Sequence, residues 1–199
     1  MFDFGGVVVN WDTDNLFREF FADPVDLAKF YATAFTPEQN RRLDLGMPIA
    51  DLVADLTSHY PHYADALAAW RDRWIETVPT VIDGTEALMS DLRDAGILLL
   101  GCSNFSTETF AWTRQRYSVF EQFDDIVLSG ALGIAKPDHG IFAELCSRNQ
   151  VSPHEVVFFD DLEANIISAR AFGMTAELFR TAAKARQDLI IHGVLGADA

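Results

Sequence analysis

Short apolar runs alternate with stretches of helical spacing along the second half of the chain. Ile97-Leu98-Leu99-Leu100, Ile126-Val127-Leu128 and Val156-Val157-Phe158-Phe159 are too short for helices and end at small or acidic residues. That is the pattern of strands buried on both faces of a parallel sheet. Helix start signals stand around them: Asp83 with Glu86 three residues on, Ser106 before Glu108, and Ser152-Pro153 with Glu155. A further strand over 175–179 follows a helix that begins near Leu162 and ends at Gly173. The βαβα order predicts an α/β fold with a doubly wound parallel sheet, whose active groups gather at the carboxyl ends of the strands.

Between Asp12 and about Pro79 the pattern changes. Leu16, Phe17 and Phe20, then Ile49, Leu52, Val53 and Leu56, then Leu67, Trp70 and Trp74 recur at helical spacing, with no strand-like run among them. Pro24, Pro37, Pro48, Pro61 and Pro79 fall at intervals suited to four short helices, and Pro48 suits a first turn. The expected organisation is a core of residues 1–11 and 80–199 with a small helical cap, 12–79, inserted after the first strand. Such a cap selects substrate and excludes water.

Composition narrows the partners. The chain has 199 residues and a formal charge of −15, so it fits one medium domain with an insertion and offers no general attraction for nucleic acid or an anionic membrane. Only Cys102 and Cys146 occur, too few for a disulfide framework, and no basic segment with a following apolar stretch opens the chain. No apolar run approaches the roughly 18 residues of a membrane span. A soluble cytoplasmic protein, monomer or homodimer, is expected.

The strand ends supply the chemistry. Asp3 follows the first strand, Ser103-Asn104 the second, Lys136-Pro137 lies beyond the third, and Asp160-Asp161 ends the fourth. Taken singly, each has a structural reading: a turn, a loop, a helix cap. Together, on one edge of a parallel sheet, they converge, and adjacent partly buried acids repel unless a cation sits between them. The five histidines form no zinc-like spacing. His59 and His62, beside Tyr60 and Tyr63, either reach substrate from a cap turn or lie on the surface. Trp11 either floors the pocket or packs core against cap; Trp70 and Trp74 read as core, and Cys102 as a small buried residue.

Asp3-Phe4-Gly5-Gly6-Val7-Val8, Cys102-Ser103-Asn104, Gly133-Ile134-Ala135-Lys136-Pro137-Asp138 and Phe158-Phe159-Asp160-Asp161-Leu162-Glu163-Ala164-Asn165 resemble, in order, the four motifs of the haloacid dehalogenase superfamily. Their wording is most similar to the branch of α-D-glucose-1-phosphate phosphatases and the amino-terminal phosphatase domain of soluble epoxide hydrolases. The resemblance implies a Rossmann-like core and a Mg²⁺-dependent phosphatase acting on a small phosphorylated metabolite through an aspartyl phosphate. It makes Asp3 the nucleophile and a metal ligand, and Asp161 and the Gly5 carbonyl further metal ligands, with Asp160 in the adjacent shell. Ser103 and the Asn104 N–H hold phosphoryl oxygens, Lys136 serves both Asp3 and the phosphate, and Asn165 orders the acidic loop or touches ligand.

Gly5 departs from the pattern. Many phosphatases of the superfamily carry Asp there as the general acid and base, and glucose-1-phosphatase-like sequences resemble this one in carrying Gly. Losing an acid/base forfeits about 10²–10⁴ in rate, least where the leaving oxygen is weakly basic. Sugar 1-phosphates, aryl phosphates and acyl phosphates are therefore the expected substrates. A dehalogenase, a phosphomutase and a phosphate-binding protein of weak catalysis are the alternatives. Only Met1 and Phe2 precede Asp3, against the roughly 5–6 residues of a usual strand. Either the chain is shortened here or the first strand pairs through few residues.

Overall fold

The computed structural model describes residues 1–196. Helices α1 (Asp14–Phe17), α2 (Pro24–Thr33), α3 (Pro37–Asp44), α4 (Ile49–His59), α5 (Ala64–Asp72) and α6 (Thr85–Asp94) come first. Then follow β1 (Leu100–Ser103), α7 (Thr107–Arg116), β2 (Asp125–Leu128), α8 (Ser129–Leu132), α9 (His139–Asn149), β3 (Val157–Asp160), α10 (Glu163–Phe172), β4 (Thr175–Leu178) and α11 (Ala182–Ile191).

The proline spacing corresponds to α2 through α5: Pro24 and Pro37 open helices, Pro48 precedes one, and Pro61 begins a turn that leads into α5. The one-turn α1 adds a fifth helix that no proline marks. Side-chain caps hold several starts, with Asp23 accepting from Val25 N, Thr36 from Gln39 N and Ser106 from Glu108 N. Two start signals resolve differently. Gly84, at φ 80°, precedes α6 in place of Asp83, and the Ser152–Glu155 capping box closes only one turn, because β3 begins two residues later.

β1 pairs with β2 and β3 with β4, all parallel. Phe2 joins the two ladders through bridges to Gly101 and Phe159. The order is therefore β2, β1, the segment through Phe2, β3, β4. The first strand shrinks to this one bridging residue, held by bonds from Phe2 N to Leu100 O (2.8 Å), Cys102 N to Phe2 O (3.0 Å) and Asp3 N to Phe159 O (2.9 Å). The run at 97–100 pairs later than its apolar pattern predicts. Ile97 N donates back to Leu92 O at the end of α6 and Leu99 N to the Asp124 carboxylate, so that three of the run's four residues precede the pairing.

Alternation along the strands fills two cores. Leu100, Cys102, Val127 and Phe158 pack with Ile141, Phe142 and Ile166 of α9 and α10 on one face. Leu99, Leu128 and Phe159 face the other, where a larger cluster takes in α6, α11 and the helices before residue 79. Helices on both faces make the fold a doubly wound α/β sheet, as the alternating pattern predicts. Among the described residues no helix is long and apolar enough to cross a membrane.

Candidate active site

The carboxyl ends of β1 and β3, together with the segment after Phe2, carry the polar groups to one edge of the sheet. Asp3 accepts from Phe4 N at its Oδ1 (2.6 Å), and its Oδ2 lies 2.9 Å from Lys136 Nζ. The same ammonium donates to Asp160 Oδ2 at 2.6 Å. Lys136 is fully enclosed, with its Nζ 5.3 Å from the Phe158 ring centroid. Burial alone would lower its pKa, but the Asp3 and Asp160 charges outweigh that and hold it above its ordinary value.

The two adjacent acids behave differently. Asp160 is saturated: its Oδ1 accepts from Leu162 N (2.9 Å) and its two oxygens accept from Asn165 Nδ2 at 2.9 and 3.0 Å, besides Lys136. Asp161 borders the cavity instead. Burial and then the Asp160 charge raise its pKa. Asp3 is pushed up to about 7 by burial, against the pull of Lys136 and a hydrogen bond with Ser103, while Asp160 pushes it further up.

Asn104 borders the cavity and commits its side chain to the backbone of Lys136. Its Oδ1 accepts from Lys136 N (2.7 Å) and its Nδ2 donates to Lys136 O (3.0 Å), which clamps the segment carrying the lysine. Cys102 is buried and its thiol is pushed up to about 12 by desolvation, a packing residue and not a nucleophile. Gly6, at φ 71°, is required where it stands, because a Cβ there would come within 2.5 Å of Asp161 Oδ2. Gly5 is not: a Cβ there would meet nothing closer than Trp11 Cβ at 3.8 Å.

The donor set fits a hard dication. Carboxylate oxygens of Asp3, Asp160 and Asp161 lie within 4.8 Å of one another, and opposite oxygens around Mg²⁺ stand about 4.2 Å apart. Three carboxylates face one ammonium, which leaves an excess of two negative charges for a cation to meet.

Above these groups lies a cavity of about 290 Å³. Its walls are mostly apolar, with Val9, Trp11, Leu43, Trp74, Val78 and Phe105 contributing. Trp11 is 45 % exposed and stands at the rim, while Trp74 is buried and serves wall and core alike. No histidine borders the cavity among the described residues; His59 turns to the Asp55 carbonyl. Three polar residues there, Asn40, Asp44 and Thr109, carry no motif. Asn40 and Asp44 are four apart on α3, a spacing that in sequence reads as a solvated face. Thr109 is buried with no hydrogen-bond partner for its hydroxyl.

Comparison with known proteins identifies the family. The profile of the haloacid dehalogenase-like hydrolases matches residues 1–173. The sesquiterpene phosphatase astK of Aspergillus oryzae is 28 % identical over 88 residues, 44 % of this chain and 45 % of that protein. Bifunctional epoxide hydrolase 2 of Rattus norvegicus is 35 % identical over 69 residues, 35 % of this chain and 12 % of that one. The chain thus spans less than half the length of these relatives. Among solved structures, the HAD family enzyme bt-2542 of Bacteroides thetaiotaomicron superposes with a TM-score of 0.73 at 19 % identity, covering 90 % of this chain and 92 % of that one. The same enzyme in complex with magnesium and inorganic phosphate gives 0.69 at 20 % identity over the same shares. The protein belongs to the haloacid dehalogenase-like hydrolases.

Proposed function

We propose that this hydrolase is a Mg²⁺-dependent phosphomonoesterase that works through an aspartyl phosphate on Asp3. One observation carries the reading: a single enclosed ammonium, Lys136, ties Asp3 to Asp160 and leaves Asp161 facing the cavity with negative charge in excess. Asp3, Asp161 and the Gly5 carbonyl would hold the cation, with Asp160 fixing Lys136 beside them. When bound, the cation neutralises phosphate charge so that an anionic nucleophile can approach. Ser103, buried at the end of β1, offers its hydroxyl to a phosphoryl oxygen. Lys136 offers its charge to the phosphate and holds Asp3 in line.

Residues 12–79 act in this reading as the cap that selects the organic group. Its apolar contribution, with Trp11 at the rim, suits a substrate with an apolar face, and the unpartnered Thr109 hydroxyl suits one polar contact. The phosphatase relative that acts in sesquiterpene chemistry is consistent with such a face. Gly5 itself supplies no acid, so esters whose leaving oxygens need least protonation, sugar 1-phosphates and aryl phosphates, head the substrate panel. A dehalogenase reading has a structural neighbour, a dehalogenase at TM-score 0.63 and 19 % identity. The acidic excess at Asp160 and Asp161 favours the metal-dependent reaction over it.

The test is hydrolysis of p-nitrophenyl phosphate with Mg²⁺. Turnover that disappears on chelation and falls at least about 10⁴-fold in Asp3→Asn supports the reading. Halide release from a haloacid without Mg²⁺, and no phosphate release, overturns it.

A further inference from the structure

Resting on the phosphatase reading, we propose that Asp44 is the general acid and base of this enzyme, the part that Gly5 cannot play. Three carboxyl groups border the cavity among the described residues: Asp3, Asp161 and Asp44. The first is assigned to attack and the second to the cation, which leaves Asp44. Lys136 cannot donate, being enclosed between two carboxylates that hold its proton.

Asp44 is built into place from two sides. It is the last residue of α3, and its carboxylate accepts from Asn40 Nδ2 one turn back at 2.9 Å. Its backbone carbonyl accepts from Ser129 Oγ (2.5 Å), the same hydroxyl that accepts from Phe105 N (2.9 Å) in the loop behind Ser103 and Asn104. Two residues on, Gly46 at φ 100° presses so closely on α8 that a Cβ would lie 2.7 Å from Gly130 O. The helix that carries Asp44 is thus keyed to the loop that meets the phosphate. Asp44 also borders an adjoining cleft, shared with Trp11, Asn40 and Asn104, that gives it a second face.

The surroundings favour a carboxyl that keeps its proton. Burial, then the Asp3 charge, push Asp44 up to about 8, against Arg41 on its own helix, the Asn40 bond and Lys136. Asp161 faces the same cavity, α8 brings no charged side chain, and Asp55 of α4 is occupied by Arg42. The negative end of the α3 dipole acts in the same direction.

In the first step an Asp3 oxygen bonds to phosphorus, the bond from phosphorus to the ester oxygen breaks, and that oxygen takes the Asp44 proton and leaves as the alcohol. In the second, Asp44 carboxylate takes a proton from water as the water oxygen bonds to phosphorus. The bond to Asp3 breaks, phosphate leaves, and both side chains return to their starting state.

The experiment compares Asp44→Asn with wild type, both with Mg²⁺, on p-nitrophenyl phosphate and on a simple alkyl phosphate. The expected loss is about 10²-fold or more for the alkyl ester and under about 10-fold for the nitrophenyl ester, whose leaving oxygen needs little help. Wild type should lose alkyl activity toward alkaline pH, and the variant should lack that limb. Because misfolding scales both rates alike, their ratio within one preparation remains the readout even if Asp44→Asn is less stable. Adding Gly5→Asp, for which there is room, should restore alkyl turnover to Asp44→Asn. Equal losses on both esters would make Asp44 a positioning residue and overturn the proposal, as would no loss on either. If wild type hydrolyses neither ester, the phosphatase reading fails and this proposal goes with it.

Discussion

The two walls of the cavity are made in different ways. On the sheet side, apart from Asp161, the charged groups are locked: Lys136 by Asp3 and Asp160, Asp160 by Asn165 and Leu162 N, and the lysine backbone by Asn104. On the helical side, Asp44 stands among apolar residues with one side-chain partner, Asn40. A locked network keeps atoms within the small tolerances that in-line attack needs. A carboxyl with few partners in an apolar wall can gain and lose a proton, which a locked one cannot. The difference separates groups that must hold still from a group that must change state.

Breaking the lock should produce the largest effect. Lys136→Met leaves Asp3 and Asp160 buried without their ammonium, and removing one partner of a buried pair costs about 3–5 kcal/mol. Urea denaturation without metal should register that loss, and Mg²⁺ should recover part of it, because a cation held by Asp3 and Asp161 offsets part of the negative charge left beside Asp160. Activity should vanish even where the variant is folded. A stability change under about 1 kcal/mol would mean that the bridge is not what holds this edge together.

The same contrast explains what was legible in the sequence. Asp3, Ser103, Asp160 and Asp161 stand at strand ends and Lys136 lies in the segment beyond another, and parallel topology brings strand ends to one edge, so their convergence follows from pattern. Finer roles depended on side-chain direction. The Asn104 side chain, to which the sequence assigns no role, is spent on the lysine backbone, and Asp160 proves saturated where Asp161 is not. Asp44 was not legible, because a polar pair four apart on a helix looks the same whether it faces water or a cavity. Strand positions slipped where a helix end competed for the same apolar run, as at Ile97 and Leu99.

An intermediate effect should follow from loosening the helical wall without touching its chemistry. Gly46→Ala forces a side chain into a left-handed conformation and toward Gly130 O, 2.7 Å from the added Cβ. The expected destabilisation is about 1–3 kcal/mol. If α3 is keyed to the core here, alkyl phosphate turnover should fall further than nitrophenyl phosphate turnover, in the direction of Asp44→Asn but by less. Equal falls would place the effect on the whole site and detach Asp44 from this contact.

The smallest effect is expected at the rim. Trp11 is 45 % exposed and borders both the main cavity and the adjoining cleft, so truncating it removes contact area for the organic group but no partner of any charged residue. Trp11→Ala should leave stability within about 0.5 kcal/mol, as for other exposed positions. Its mark should be a KM several-fold higher for esters with an apolar or aryl group, with a much smaller change in kcat, the signature of binding shared by ground state and transition state. Esters of small polar alcohols should barely respond. If instead kcat falls equally for all esters, Trp11 belongs with the groups that hold the nucleophile, and the division between a locked wall and an adaptable one does not run where the hydrogen bonds draw it.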